Sequence, residues 1–144
     1  MSDDNSITMT PIGYVYTEAA DIPRHWSLSD VTGRIVIKPA YVDGLADITS
    51  GQDIVVLFCF HKSPAFEAGF LRQQPPHRQR SLGVFSICSP RRPNPIGLSV
   101  VRVLDIKDGE ITVQGIDMLD GTPVLDIKPH IIDRETCPSY EGAG

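Results

Sequence analysis

Two short stretches of the chain hold side chains that could carry chemistry. Residues 117–129, DMLDGTPVLDIKP, set Asp117, Asp120 and Asp126 within ten positions. Residues 89–97, SPRRPNPIG, set Arg91, Arg92 and Asn94 among three prolines. Clustered carboxylates can take protons or receive ammonium and hydroxyl groups. An arginine fork matches a carboxylate or a phosphate. Plainer readings stand beside these: Asp120 before Gly121 is an ordinary turn signal, with Thr122 and Pro123 opening a strand, and Asp126 can simply face water. In the second stretch each proline fixes its own φ and drives Ser89, Arg92 and Asn94 towards extended backbone. The loop is therefore stiff, and it ends at Gly97, where backbone can approach a neighbour closely. A stiff loop carrying cations is suited to holding an anionic ligand.

Such groups need a framework, and the apolar pattern supplies one made of strands. Residues 12–16, 34–38, 53–60, 83–87, 98–106, 110–116 and 123–127 are rich in β-branched and aromatic side chains and are bounded by Gly, Pro or Asp. LSVVRVLDI and EITVQGI, joined across Asp108 and Gly109, form the clearest hairpin. One short helix fits around Tyr41 to Ile48. The expected fold is mainly β, a single domain over residues 1–144, in which a closed or partly open barrel removes the sheet edges. Lys62 to Leu82 lacks any period, carries Pro75 and Pro76, and reads as a long irregular loop, of a length that is usually functional or disordered. Residues 1–9 and 135–144 are expected to be flexible.

Charge is unevenly spread along the chain. The net value is −5, yet between Lys62 and Arg92 six cationic side chains face only Glu67. That excess fits a phosphate-binding patch or simply a solvated loop. The longest apolar run, Ile54 to Phe60, is too short for a bilayer, and the polar start MSDDNSITMT is not a secretory signal, so a cytoplasmic protein with no membrane contact is expected. Cys59, Cys88 and Cys137 lack paired spacing and read as free thiols, with no metal site; Cys88 reads as a buried structural thiol rather than a nucleophile. Phosphate-loop, dinucleotide, zinc-protease and serine-hydrolase motifs are all missing from the sequence.

The strings GVFSICSPRRPNPIGLSVV (83–101) and DMLDGTPVLDIKP (117–129), with PIGYVYT (11–17) and VVLFCFHKS (55–63), closely resemble the TrmO family over about Pro11 to Pro129. The resemblance implies a barrel-like methyltransferase that uses S-adenosyl-L-methionine and works as a homodimer. Its acceptor would be N6 of threonylcarbamoyladenosine at position 37, in the tRNA anticodon loop. Carried over by position, cofactor contacts fall on Pro23, Arg24 and His25, on His61 and Lys62, on Cys88 and Leu98, and on Asp120, Gly121, Thr122 and Pro123. Asp120 and Asp126 are the candidate bases, with His25 or His61 as helpers. Arg92, with Arg91, Arg78 and Arg80, would meet RNA backbone or the threonyl carboxylate, and Asn94 would bond either substrate. Trp26 and the apolar side chains of Phe66 to Leu71 offer a dimer patch, with burial of Trp26 in the core as the other reading.

The chain departs from the family pattern in three places. Cys88 in ICSP stands where many members carry arginine in TRSP, and His25 replaces a glutamine in IPRH. The C-terminal domain of longer members is also expected to be missing from this short form. These departures keep open a methyltransferase acting on a small anionic metabolite, and a non-catalytic S-adenosylmethionine-binding module.

Overall fold

The computed structural model describes residues 5–133. Residues 1–4 and 134–144, which include Cys137 and most of the expected flexible ends, lie outside the described residues. Asn5 to Met9 are exposed and form no strand or helix. The strands are β1 (Gly13–Tyr16), β2 (Thr32–Ile37), β3 (Asp53–Cys59), β4 (Arg72–Gln73), β5 (Leu82–Gly83), β6 (Ile96–Lys107), β7 (Glu110–Gln114) and β8 (Pro123–Pro129). Six of them close an antiparallel barrel in the order β1-β2-β7-β6-β3-β8, and β4 pairs with β5 in a separate ribbon. The expected mainly β barrel is therefore present, and it is closed.

Alternation builds the core. Ile54, Val56 and Phe58 of β3 point inward beside Val101 and Val103 of β6, Ile111 and Val113 of β7, and Val15, Ile35 and Val124. Each fully buried side chain of this size stabilises the fold by roughly 1.5–3 kcal/mol relative to exposure. The same inward positions of β6 also hold Gly97 and Ser99, both buried. Ser99 and Thr122 are the buried polar side chains among the described residues. The β6–β7 turn has positive φ at Asp108 (52°) and Gly109 (81°), the twist-matched hairpin turn expected there.

Four elements differ from the pattern read in the sequence. Residues 83–87 are not a strand: after β5 the chain makes a 3-10 turn, Val84–Ser86, that buries Val84 and leaves Phe85 79% exposed. The expected helix near Tyr41 is a 3-10 segment, Pro39–Leu45. Lys62 to Leu82 is irregular but contains the 3-10 turn Ala68–Leu71, all of β4 and the first residue of β5. Finally, β7 stops at Gln114 rather than 116. There Gly115, at φ 108°, turns the chain so that its own N–H and that of Ile116 both reach Val31 O (2.9 and 3.1 Å). Only glycine adopts that backbone readily, and it delivers Asp117 to one end of the barrel.

Candidate functional site

The chain has a cleft of about 1200 Å³, lined from the segment after β1, the end of β3, the irregular loop, the proline-rich stretch and the β7–β8 connection. Most pockets for small ligands are smaller than this, so a donor molecule and part of a second substrate fit together. A shallower hollow of about 470 Å³ between Pro39–Leu45 and the β6–β7 turn contains none of the expected site residues.

One wall is the segment before β2. His25 caps the 3-10 turn Trp26–Leu28: its Nδ1 accepts Ser27 N–H at 3.2 Å and lies 2.7 Å from Ser27 Oγ. Its ring lies 5.1 Å from that of Trp26. Ser29 Oγ donates to Ile116 O (2.5 Å) and accepts Val31 N–H (3.1 Å), which ties this wall to the barrel. Pro23, Arg24, His25 and Trp26 all line the cleft, so half-buried Trp26 belongs to neither core nor free surface. Arg24 Nη2 donates to His77 Nε2 (2.9 Å), joining this wall to the irregular loop opposite.

The other wall is the proline-rich stretch. Phe60 N–H donates to Pro95 O (2.8 Å), Ser63 Oγ to Pro90 O (3.0 Å) and Gln73 Nε2 to Arg91 O (2.8 Å). Arg92 turns back on its own loop, with Nη1 donating to Ile87 O and Ser89 O, both at 3.0 Å. Arg91 lies over the Phe70 ring, 5.6 Å from its centroid. A Cβ on Gly97 would stand 2.3 Å from Phe58 and 2.8 Å from Phe60, so the close neighbour of that glycine is an aromatic pair of the chain itself. His61 and Lys62, just past β3, and Leu98, 52% exposed, complete this side. Cys88 is exposed and lines the cleft, which corrects its reading as a buried thiol: the 3-10 turn Val84–Ser86 precedes it where a strand was expected. Cys59 is also free and lines the cleft.

The third segment separates the aspartates. Asp120 Oδ1 accepts Thr17 N–H (2.9 Å), and Gly121 N–H donates to Val15 O (2.7 Å), so this turn clamps β8 to β1. Of these neighbours Thr122 lines the cleft, while Asp120, Gly121 and Pro123 do not. Asp126 is elsewhere. A register shift between Leu57 and Phe58 breaks the alternation of β8, so Val124 and Ile127 face the core and Asp126, 47% exposed, pairs with Lys128 at 2.9 Å. Exposed Asn94 is likewise outside the cleft, its carbonyl accepting Ile96 N–H (2.7 Å).

Asp117 is the aspartate that enters the cleft. Ser99 Oγ–H donates to its Oδ1, and the Trp26 N–H and the nearby His25 also favour its charge. Burial outweighs these and pushes its carboxyl above the ordinary carboxylate range. Asp117 is the single acidic side chain lining the cleft among the described residues, facing Arg24, Lys62, Arg78, Arg91 and Arg92. It was visible only as one of three equivalent aspartates; the signal that singles it out is the inward serine of β6. Among the described residues no cluster of three or more His, Cys, Asp or Glu is arranged to hold a metal, and no helix is long and apolar enough to cross a membrane.

The family described as tRNA-methyltransferase O N-terminal domain matches residues 12–135. An S-adenosyl-L-methionine-binding protein of Archaeoglobus fulgidus is 37% identical over 137 residues, covering 93% of this chain and 96% of that protein. A tRNA (adenine(37)-N6)-methyltransferase of Rattus norvegicus is 42% identical over 147 residues, covering 96% of this chain and 34% of that protein. The crystal structure of TrmO from Pseudomonas aeruginosa superposes with a TM-score of 0.72 at 31% identity, over 96% of this chain and 62% of that one. The chain thus spans under two thirds of that TrmO chain and nearly all of the archaeal relative.

Proposed function

The chain belongs to the tRNA-methyltransferase O N-terminal domain family, and from that premise we propose that it is an S-adenosylmethionine-dependent methyltransferase. Its acceptor is N6 of threonylcarbamoyladenosine at position 37 of tRNA. The observation that carries the reading is the convergence of Pro23, Arg24, His25, His61, Lys62, Leu98 and Thr122, from four separate segments, on one roomy cleft with a cationic rim.

The donor set fits the cofactor. Arg24 or Lys62 pairs with the carboxylate of its amino acid tail. The rings of Trp26, Phe58 and Phe60 suit an adenine face and a sulfonium cation. Asp120 and Gly121 act from behind, by holding Thr122 in place. S-adenosylmethionine supplies an already activated methyl group, so the protein's main contribution is to hold donor and acceptor in line. Arg78, Arg91 and Lys62 take phosphates or the threonyl carboxylate. Arg92 acts by stiffening the wall between the two substrates. A homodimer is part of this proposal, with Phe66 (40% exposed), Leu71 (45%) and Phe85 (79%) as candidate contacts.

Calorimetric titration with S-adenosylmethionine, followed by label transfer to total tRNA, tests the reading. Transfer should vanish when the tRNA lacks threonylcarbamoyladenosine. Binding with no transfer to any tRNA would favour a small carboxylated or phosphorylated acceptor. That second reading draws on the near full-length match to the archaeal S-adenosyl-L-methionine-binding protein. Salt dependence separates the two, because RNA binding releases many counterions and metabolite binding few.

A further inference from the structure

We propose that Asp117 is the general base that takes the N6 proton during methyl transfer, with Ser99 as the residue that positions it. The inference rests on the reading of the chain as an N6-methyltransferase. The acceptor nitrogen in threonylcarbamoyladenosine is urea-like, its lone pair delocalised into the carbonyl, so it must shed its proton to become a nucleophile. A proton acceptor is therefore required inside the cleft.

The side chains of the cleft able to take a proton are Asp117, the imidazoles of His25, His61 and His77, and the thiols of Cys59 and Cys88; of these Asp117 is the one carboxylate. The arginines and lysine of the cleft are donors only. His25 Nδ1 is engaged with Ser27, and His77 Nε2 with Arg24. Asp120 is bonded to Thr17 N–H and Asp126 to Lys128, neither within the lining. Asp117 lines the cleft, and its orientation is fixed by Ser99 from β6. His25 is the titratable group acting on it from the wall before β2, and His61 and Lys62 line the same cleft past β3. A carboxylate held out of water is a stronger base than an exposed one. In the step, the N6 proton passes to an Asp117 oxygen as N6 bonds the methyl carbon. The electron pair of the broken carbon–sulfur bond stays on sulfur, and Asp117 returns its proton to water after release.

Asp117→Asn is nearly isosteric and keeps an acceptor for Ser99. It should bind S-adenosylmethionine with wild-type affinity by calorimetry and lose 100-fold or more of the transfer rate. Ser99→Ala should still turn over, with the acidic limb of its pH–rate profile moved to higher pH. The Asp117 carboxyl carbon, titrated by NMR in the free protein, should move in the same direction. Transfer by Asp117→Asn within several-fold of wild type overturns the inference, as does a Ser99→Ala titration shift without a matching shift in the rate profile. Loss of cofactor affinity in Asp117→Asn overturns it too, because Asp117 would then be a cofactor ligand. A wild type that binds the cofactor but methylates no threonylcarbamoyladenosine overturns the functional reading and this inference together; an active wild type with an active Asp117→Asn overturns the inference alone.

Discussion

Gly97 is where the proline-rich stretch enters β6, and Gly97→Ala tests whether that stretch is braced against the core. The added methyl would stand 2.3 and 2.5 Å from Phe58 ring atoms and 2.8 Å from Phe60 Cζ. Carbons in good contact lie about 3.5–4.0 Å apart, so the Phe58 ring must retreat by roughly an ångström. Phe58 is 3% exposed and meets Phe60 edge-on at 5.1 Å, so packed core resists the retreat. Overpacking of this kind costs about 1–3 kcal/mol. Lower unfolded-state entropy of alanine offsets about 0.4–1 kcal/mol. A net loss of about 1–2 kcal/mol lowers Tm by roughly 3–8 °C in a domain of this size. Urea and thermal denaturation measure it, with Gly83→Ala as control, since a Cβ there meets nothing within 4 Å and its φ is −63°. Adding Phe58→Leu should relieve the clash, making the double variant more stable than the sum of the singles by about 1 kcal/mol. Because both rings line the cleft, cofactor affinity should fall as well. A Gly97→Ala protein that melts with wild type, and whose effect adds simply to that of Phe58→Leu, refutes the reasoning.

Asp117→Asn should be more stable than wild type at pH 7. Burial raises the folded carboxyl above its ordinary 3.8, so the stability contributed by the protonated form is complete below that value and lost as pH rises through the folded pKa. The difference between the two proteins should therefore shrink towards acid pH in denaturation curves. Ser29→Ala removes the tie between the His25 wall and Ile116 O, and should cost about 1 kcal/mol while weakening cofactor binding in the same titration. Arg92→Ala should weaken cofactor binding through a slackened loop, and Arg92→Lys should restore part of it, because a single nitrogen, Nη1, donates to both carbonyls at 3.0 Å and an ammonium group can do the same. Arg78→Ala or Arg91→Ala should lower the slope of log affinity for tRNA against log salt by about one.

The strands of the barrel were legible because half-buried strands repeat every two residues, and that period is local. So was the β6–β7 hairpin, through Asp108 and Gly109. Residues 83–87 misled because Val and Ile suit a strand, yet Phe85 at their centre has nothing to pack against. The stiffness of SPRRPNPIG was equally local, since proline acts on its own φ and on one neighbour. What Gly97 faces was not, because Phe58 lies across a strand pair.

The aspartates divide in the same way. Composition and order put three of them in thirteen residues, and nothing local ranks them. Strict alternation along β8 would turn both Val124 and Asp126 inward, but the register shift opposite Leu57 and Phe58 turns Asp126 out to Lys128. The turn at Gly121 commits Asp120 to Thr17, over a hundred positions away in the chain. Asp117 reaches the cleft because Gly115 bends the backbone there and Ser99 of β6 meets it. The class of fold, the stiff cationic loop and the family resemblance could all be read along the chain, because each depends on neighbours in sequence. Which carboxylate shares the cleft with the cations depends on long-range contacts, because closing the barrel brings β6, the β7–β8 connection and the wall before β2 to one end.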